Sequence, residues 1–192
     1  MQMDQKALHA NITEISAMSD EDFALLMTCA KLLPLKKGQM LLKEGEVCRA
    51  FYLVDMGYLR TYYNKDGVEI NLNFTFEGHF SSDLKSIKSK HASEINIEAG
   101  ENSKVWMIDR DKLSAFYVVN PAIALFVRRL AIRLLLASEE HSNLFKVYTP
   151  TERYHYIEKN DPQLLQRISL SQLASYLGVT RETISRIRAK SK

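Results

Sequence analysis

The chain has 192 residues, 46% hydrophobic and 26% charged, with a formal net charge of +3, the composition of an ordinary soluble globular protein with one large or two small domains. No apolar run reaches the roughly 18 residues that span a bilayer, and Cys29 and Cys48 have neither metal-ligand spacing nor a disulfide framework. Met1 to Ala10 lacks a basic stretch leading into an apolar core, so no secretory signal is expected and the cytoplasm is the default location. The charge is uneven: residues 146–192 hold nine Lys/Arg against four Asp/Glu, whereas residues 1–145 hold 17 against 19. A basic end on a slightly acidic body suits a module that meets phosphate.

Residues 5–18 read as a short helix or an extended lead-in. Ser19 followed by Asp20, Glu21 and Asp22 then gives a cap and an acidic first turn, with Phe23, Leu25, Leu26 and Met27 behind them. This helix carries Cys29 and stops before Pro34. From Leu35 to about Val105 the pattern becomes one of short strands punctuated by Gly38, Gly45, Gly57, Gly67, Gly78 and Gly100. Phe51 to Val54 and Tyr58 to Tyr63 are β-rich, and Asn64-Lys65-Asp66-Gly67 is a hairpin turn. Ile70, Leu72, Phe74 and Phe76 alternate with Asn71, Asn73 and Thr75, which predicts a strand with one buried apolar face. Such strands imply a small barrel or sandwich.

Asn120-Pro121 opens a long helix. Along it Ile123, Val127, Leu130, Leu134, Ala137, His141 and Leu144 fall at alternating steps of four and three, the seam of a two-helix coiled coil. Leu125, Phe126, Ile132 and Leu135 widen the apolar surface, so packing on the barrel is expected as well. The same spacing also suits a helix packed only within its own chain. His141 is either a pH-responsive group or a tolerated polar residue on that seam. Val147 to Pro150 marks a hinge, with Thr151 to Lys159 and Pro162 to Arg167 as supporting helices beyond it.

The run from Ile168 to Ile187 reads as two short helices around a tight turn. Ser169 and Gln172 form a capping box, Leu170, Leu173, Ala174 and Leu177 an apolar stripe, and Gly178 a left-handed stop. Thr180 can cap the second helix, which turns Ile184 and Ile187 inward and Arg181, Glu182, Ser185 and Arg186 outward. A helix-turn-helix places the first residues of its second helix against base edges. There arginine can donate twice to guanine and glutamate can accept from cytosine.

These features together resemble the Crp/Fnr family of bacterial transcription regulators, over almost the whole chain. The most specific match is Val179-Thr180-Arg181-Glu182-Thr183-Ile184-Ser185-Arg186-Ile187; Leu41 to Glu46 and Phe51 to Arg60 look like the opening strands of a cyclic-nucleotide-binding-type domain. The resemblance implies an α+β fold: an N-terminal β-roll over residues 1–119, a dimerisation helix over 120–147 and a helix-turn-helix DNA-binding domain over 148–192. It assigns base reading to Arg181, Glu182 and Arg186, with Thr180 and Thr183 near phosphates. The implied partners are double-stranded DNA, a second copy of the chain and RNA polymerase; no membrane and no enzymatic activity are expected.

Departures from the family pattern concern the effector. Gly78-His79-Phe80-Ser81-Ser82-Asp83-Leu84 stands where members that bind cyclic AMP carry Gly-Glu-Leu, so Asp83 could accept a bond from a ribose hydroxyl. No arginine follows between Asp83 and Trp106; the position that should pair with the cyclic phosphate falls near Ser93. Ala137-Ser138 replaces the nucleotide-contacting pair of the long helix, and alanine cannot donate. A buried phosphate without such partners is costly. The candidate pocket is therefore Gly78, Phe80, Asp83, Leu84, Ser93 and Ser138, with no cofactor and with cyclic AMP not expected as effector. Lys85, Lys88, Lys90 and His91 beside it read as a solvated basic face rather than a substitute anion site. The sequence reaches Lys192 just after the second helix, so the wing that most members carry is expected to be missing, with Arg186, Arg188, Lys190 and Lys192 replacing part of its phosphate contacts. The competing readings are a ligand sensor or protein-interaction module with a degenerate DNA-binding domain, and a metal-dependent barrel enzyme, for which the histidines are poorly spaced.

Overall fold

The computed structural model describes residues 5–190. It opens with α1 (Gln5–Ile15) and α2 (Asp20–Thr28). The lead-in is helical because Leu8, Ile12 and Ile15 fall on one helix face, and that face is buried. Ser19 caps α2 by accepting from the Asp22 amide, and three acids sit in its first turn. Cys29 is the C-cap rather than a helical residue, and the chain passes straight into strand. The β region thus begins earlier than the glycines suggest, at Ala30, and includes Pro34, which is tolerated because its strand lies at a sheet edge.

The strands are β1 (Ala30–Leu35), β2 (Met40–Leu42), β3 (Ala50–Met56), β4 (Leu59–Lys65), β5 (Val68–Thr75), β6 (Phe80–Ser81), β7 (Asn96–Ala99) and β8 (Ser103–Asp109). They form two antiparallel sheets, ordered β1-β8-β3-β6 and β2-β7-β4-β5. Leu35, Leu42, Tyr52, Val54, Leu59, Ile97 and Val105 fill the space between them. Phe51 and Leu53 leave the opposite face of β3 toward the helices, so β3 is buried on both sides. The β4–β5 turn has Asp66 and Gly67 at φ 53° and 81°, the left-handed pair that a two-residue type I′ hairpin requires.

The alternation expected along β5 fails in its first half. Ile70 is exposed and Asn71 is buried, whereas Phe74 is buried as predicted. The reason is tertiary: a polar contact made by Asn71 with a later helix covers the face that the sequence assigns to solvent.

After the short helices α3 (Leu84–Ser89) and α4 (Arg110–Ser114) comes α5 (Pro121–Val147), capped by Asn120 accepting from the Ile123 amide. Then follow α6 (Pro150–Asn160), α7 (Pro162–Arg167), α8 (Leu170–Leu177) and α9 (Arg181–Lys190). The seam predicted on α5 turns inward. Ile123 and Leu130 are fully buried with Leu8, Ile12, Phe23 and Leu26, and Val127 and Leu134 pack against the same cluster. Leu144 is buried against the C-terminal helices. The part of that face from Ile123 to Leu134 is thus covered by α1, α2 and the roll, whereas Ala137 stays exposed. Ile132 and Leu135, expected to pack on the barrel, are exposed together with Leu136, by 50%, 62% and 52%. No helix among the described residues is long and apolar enough to cross a membrane.

Candidate nucleic-acid interface and effector pocket

The pair α8–α9 is built as its sequence specifies. Ser169 Oγ accepts from the Gln172 amide at 3.2 Å, and Gln172 Oε1 accepts from the Ser169 amide at 3.0 Å. Gly178 ends α8 in the left-handed region at φ 66° and ψ 37°. Leu173, Ala174 and Leu177 bury against Ile184 and Ile187. Thr180 Oγ1 accepts from the Thr183 amide at 3.3 Å, fixing the first turn of α9 and leaving Thr183 half-buried. Thr180, Arg181, Glu182, Ser185 and Arg186 are exposed on the outer face. The Glu182 carboxyl lies below the ordinary carboxylate range because it accepts from its own amide and from Thr180, with the Arg181 and Arg186 charges adding to the effect. The face thus carries a fixed acceptor between guanidinium donors.

Arg188 does not join it. Its Nε donates to the Tyr154 hydroxyl at 3.2 Å with the guanidinium over that ring, so it holds α9 to α6. The side chain of Lys190, and Lys192, lie outside the described residues.

The predicted effector pocket is internally paired. Asp83 is 8% exposed. Its Oδ1 accepts from the Ser86 amide at 3.0 Å and its Oδ2 from Ser93 Oγ at 2.8 Å. Ser93 also accepts from the Ile95 amide, and its backbone pairs with Gly45 and Glu46. Ser86 Oγ accepts from the Cys48 amide and donates to the His91 carbonyl. Phe80 packs edge-on against Phe126, and Leu84 joins the cluster around α5, so both serve the core. Gly78 has φ 78° and its carbonyl accepts from Asn11 Nδ2. Ala137 and Ser138 stand exposed on α5. The structure therefore joins Asp83 and Ser93 and leaves the rest of the predicted set dispersed. Lys85 pairs with Glu94 at 2.7 Å on the exposed face. Among the described residues, no three or more His, Cys, Asp or Glu gather as a metal site.

Contacts between the C-terminal helices and the roll had no local sequence signal. Arg167 Nη1 and Nη2 donate to Glu77 at 2.6 and 2.9 Å, and Nη2 also to Glu101 at 2.6 Å. Burial pushes the Glu77 carboxyl up, but bonds from Arg167 and from its own and the Gly57 amides outweigh this and hold it below its ordinary value. Ser175 Oγ accepts from the Asn71 amide and donates to the Glu69 carbonyl, both at 3.0 Å. His141, expected on the seam, instead stacks on Tyr176 of α8 with ring centroids 4.3 Å apart.

Comparisons with known proteins agree with this construction. A cyclic nucleotide-binding domain family model matches residues 32–120. The transcriptional activator protein FnrA of Stutzerimonas stutzeri is 25% identical over 167 residues, 80% of this chain and 67% of that protein. FixK2 from Bradyrhizobium japonicum has the same fold, with a TM-score of 0.72 at 22% identity over 84% of this chain and 83% of its own. A Eubacterium rectale protein assigned to the Crp/Fnr family superimposes with a TM-score of 0.70 at 20% identity, covering 88% and 82% of the two chains. The matched roll, the similarity to FnrA and the shared fold support a regulator of the Crp/Fnr type.

Proposed function

We propose that the chain is a homodimeric, sequence-specific DNA-binding regulator whose helix-turn-helix, α8–α9, reads the major groove. The observation that carries this reading is the composition of one exposed face: Arg181, Glu182, Ser185 and Arg186 project together from α9 while Ile184 and Ile187 anchor it. Arginine there can donate two bonds to guanine and glutamate can accept from cytosine. The basic balance of residues 146–192 supplies attraction to phosphate without sequence preference. Contact with RNA polymerase is an expectation from the family resemblance.

Ile132, Leu135 and Leu136 form an apolar stripe on α5, a surface suited to a second copy of that helix. Pairing through it would present two copies of α9 to two half-sites. The Asp83–Ser93 bond supports an effector pocket closed to a cyclic phosphate, since no arginine follows Asp83 before Trp106 to receive one. The roll then acts as scaffold.

The test is selection from a random double-stranded DNA pool with ligand-free protein. A two-fold symmetric motif with half-sites about one helical turn apart is expected. No enriched motif with ligand-free protein or with added cyclic AMP would favour an interaction module whose α9 face binds protein.

A further inference from the structure

We propose that Arg167 is a positioning residue for DNA reading: it fixes the helix-turn-helix on the β-roll through Glu77 and Glu101. The inference rests on the DNA-reading function proposed above. It adds that the orientation of α9 is set inside the chain by a charged clamp.

Arg167 ends α7, immediately before the Ile168–Ser169 entry to α8. Its guanidinium engages both oxygens of Glu77 and one of Glu101, and lies over the rings of Phe76 and Tyr58 at 4.9 and 5.6 Å. A planar fork meeting a carboxylate bidentately specifies direction as well as distance. Glu77 is itself held, because Oε1 also accepts at 2.8 Å from the amide of Gly57, whose φ is 86°. The clamp is thus anchored on the turn between β3 and β4.

A second contact points the same way. β5 is an edge strand, so its outward backbone groups need partners. The Ser175 hydroxyl supplies them by accepting from the Asn71 amide and donating to the Glu69 carbonyl, while Asn71 Nδ2 donates to the Gln172 carbonyl. Tyr176 then meets Phe74 edge-on at 5.5 Å. Behind Asn71, Arg60 bonds Glu69 and Glu98 across the sheet. These contacts use one side of α8, whereas Arg181, Glu182, Ser185 and Arg186 stay exposed. The docked arrangement presents the reading face, and a reader held in place loses less conformational freedom on binding.

The experiment pairs two readouts on the full chain: hydrogen exchange of the Asn71 amide without DNA, and affinity for a duplex selected from the random pool by the wild type. Arg167→Gln is expected to speed Asn71 exchange at least tenfold, leave amides between the two sheets unchanged, and weaken duplex binding at least tenfold. Arg167→Lys, a cation without the fork, should fall between. Glu101→Ala removes one bond and gives a milder version should the larger change impair folding. Unchanged exchange overturns the clamp. Faster exchange with equal or tighter duplex binding overturns its role in reading. A wild type that enriches no motif removes the DNA function and this role with it; faster exchange would then record a docking contact only.

Discussion

Two polar surfaces bear on the family resemblance, one matching it and one departing from it, and they are built in opposite ways. On α9 Arg181, Glu182 and Arg186 stand exposed to solvent, where a ligand can reach them. In the roll, Asp83, Ser86 and Ser93 are buried and each is already bonded to another part of the chain. A buried carboxylate with both oxygens occupied offers little to a ligand, because displacing a partner must repay the bond and its desolvation. Availability, more than residue type, separates an outward-reading surface from a pocket that has become structure.

The largest expected effect comes from a third surface, which is open but apolar. Leu135→Glu with Leu136→Glu should give a monomer by sedimentation and reduce affinity for a two-fold symmetric duplex by about 100-fold or more, since the second half-site contact is lost. Ile123→Glu should instead unfold the chain, because Ile123 lies at 0% exposure within its own core. A folded monomer from Ile123→Glu would restore the seam that the heptad spacing suggests.

Next in size is base reading. Arg181→Ala should cost roughly 1–3 kcal/mol at one base pair and relax preference there, with thermal stability unchanged. Arg188→Ala should do the reverse, lowering stability through the lost Tyr154 contact while leaving the selected motif intact. Motif selection with both variants checks this; altered base preference in Arg188→Ala would place that residue on the reading face.

The contrast between Arg181 and Arg188 also shows what the sequence could reveal. Caps, turns and stops were legible because each depends on neighbours within four residues: Ser19, Asn120, the Ser169–Gln172 box, Asp66-Gly67 and Gly178 all act locally. The exposed face of α9 followed from helical period alone. The direction of α5 did not, because both of its faces are apolar and only the docking of α1 and α2 decides which is covered. Asn71 and Arg167 were opaque for a related reason: their partners lie in other parts of the chain, 104 and 90 residues away.

A smaller effect tests the closed pocket. Ser93→Ala removes a hydroxyl from buried Asp83 and should cost about 1–3 kcal/mol in urea unfolding, with DNA affinity unaltered. Full stability in that variant would mean that Asp83 does not need Ser93, and the pocket would rejoin the open surfaces.

The smallest expected effect is a change of slope with pH, and it sits at the joint between the two regions. Burial against Tyr176 and Phe145 lowers the His141 pKa below its model-peptide value of 6.5, with a bond to the Tyr176 backbone acting in the opposite direction. The folded state therefore holds fewer protons at this ring than the unfolded state does. Its contribution to stability is complete above pH 6.5 and is lost as pH falls from there through the folded value. Asp161, whose carboxyl is raised by burial, has the opposite sign and loses its contribution as pH rises. His141→Phe keeps an aromatic face against Tyr176 and removes a buried nitrogen, Nε2, that has no hydrogen-bond partner. Subtracting its stability curve from that of the wild type cancels Asp161 and isolates the imidazole. The wild type should weaken relative to the variant as pH is lowered from 7.5 to 5. Parallel curves would mean that the ring is protonated as easily in the folded chain as in the unfolded one, and that the joint between α5 and α8 opens enough to admit water.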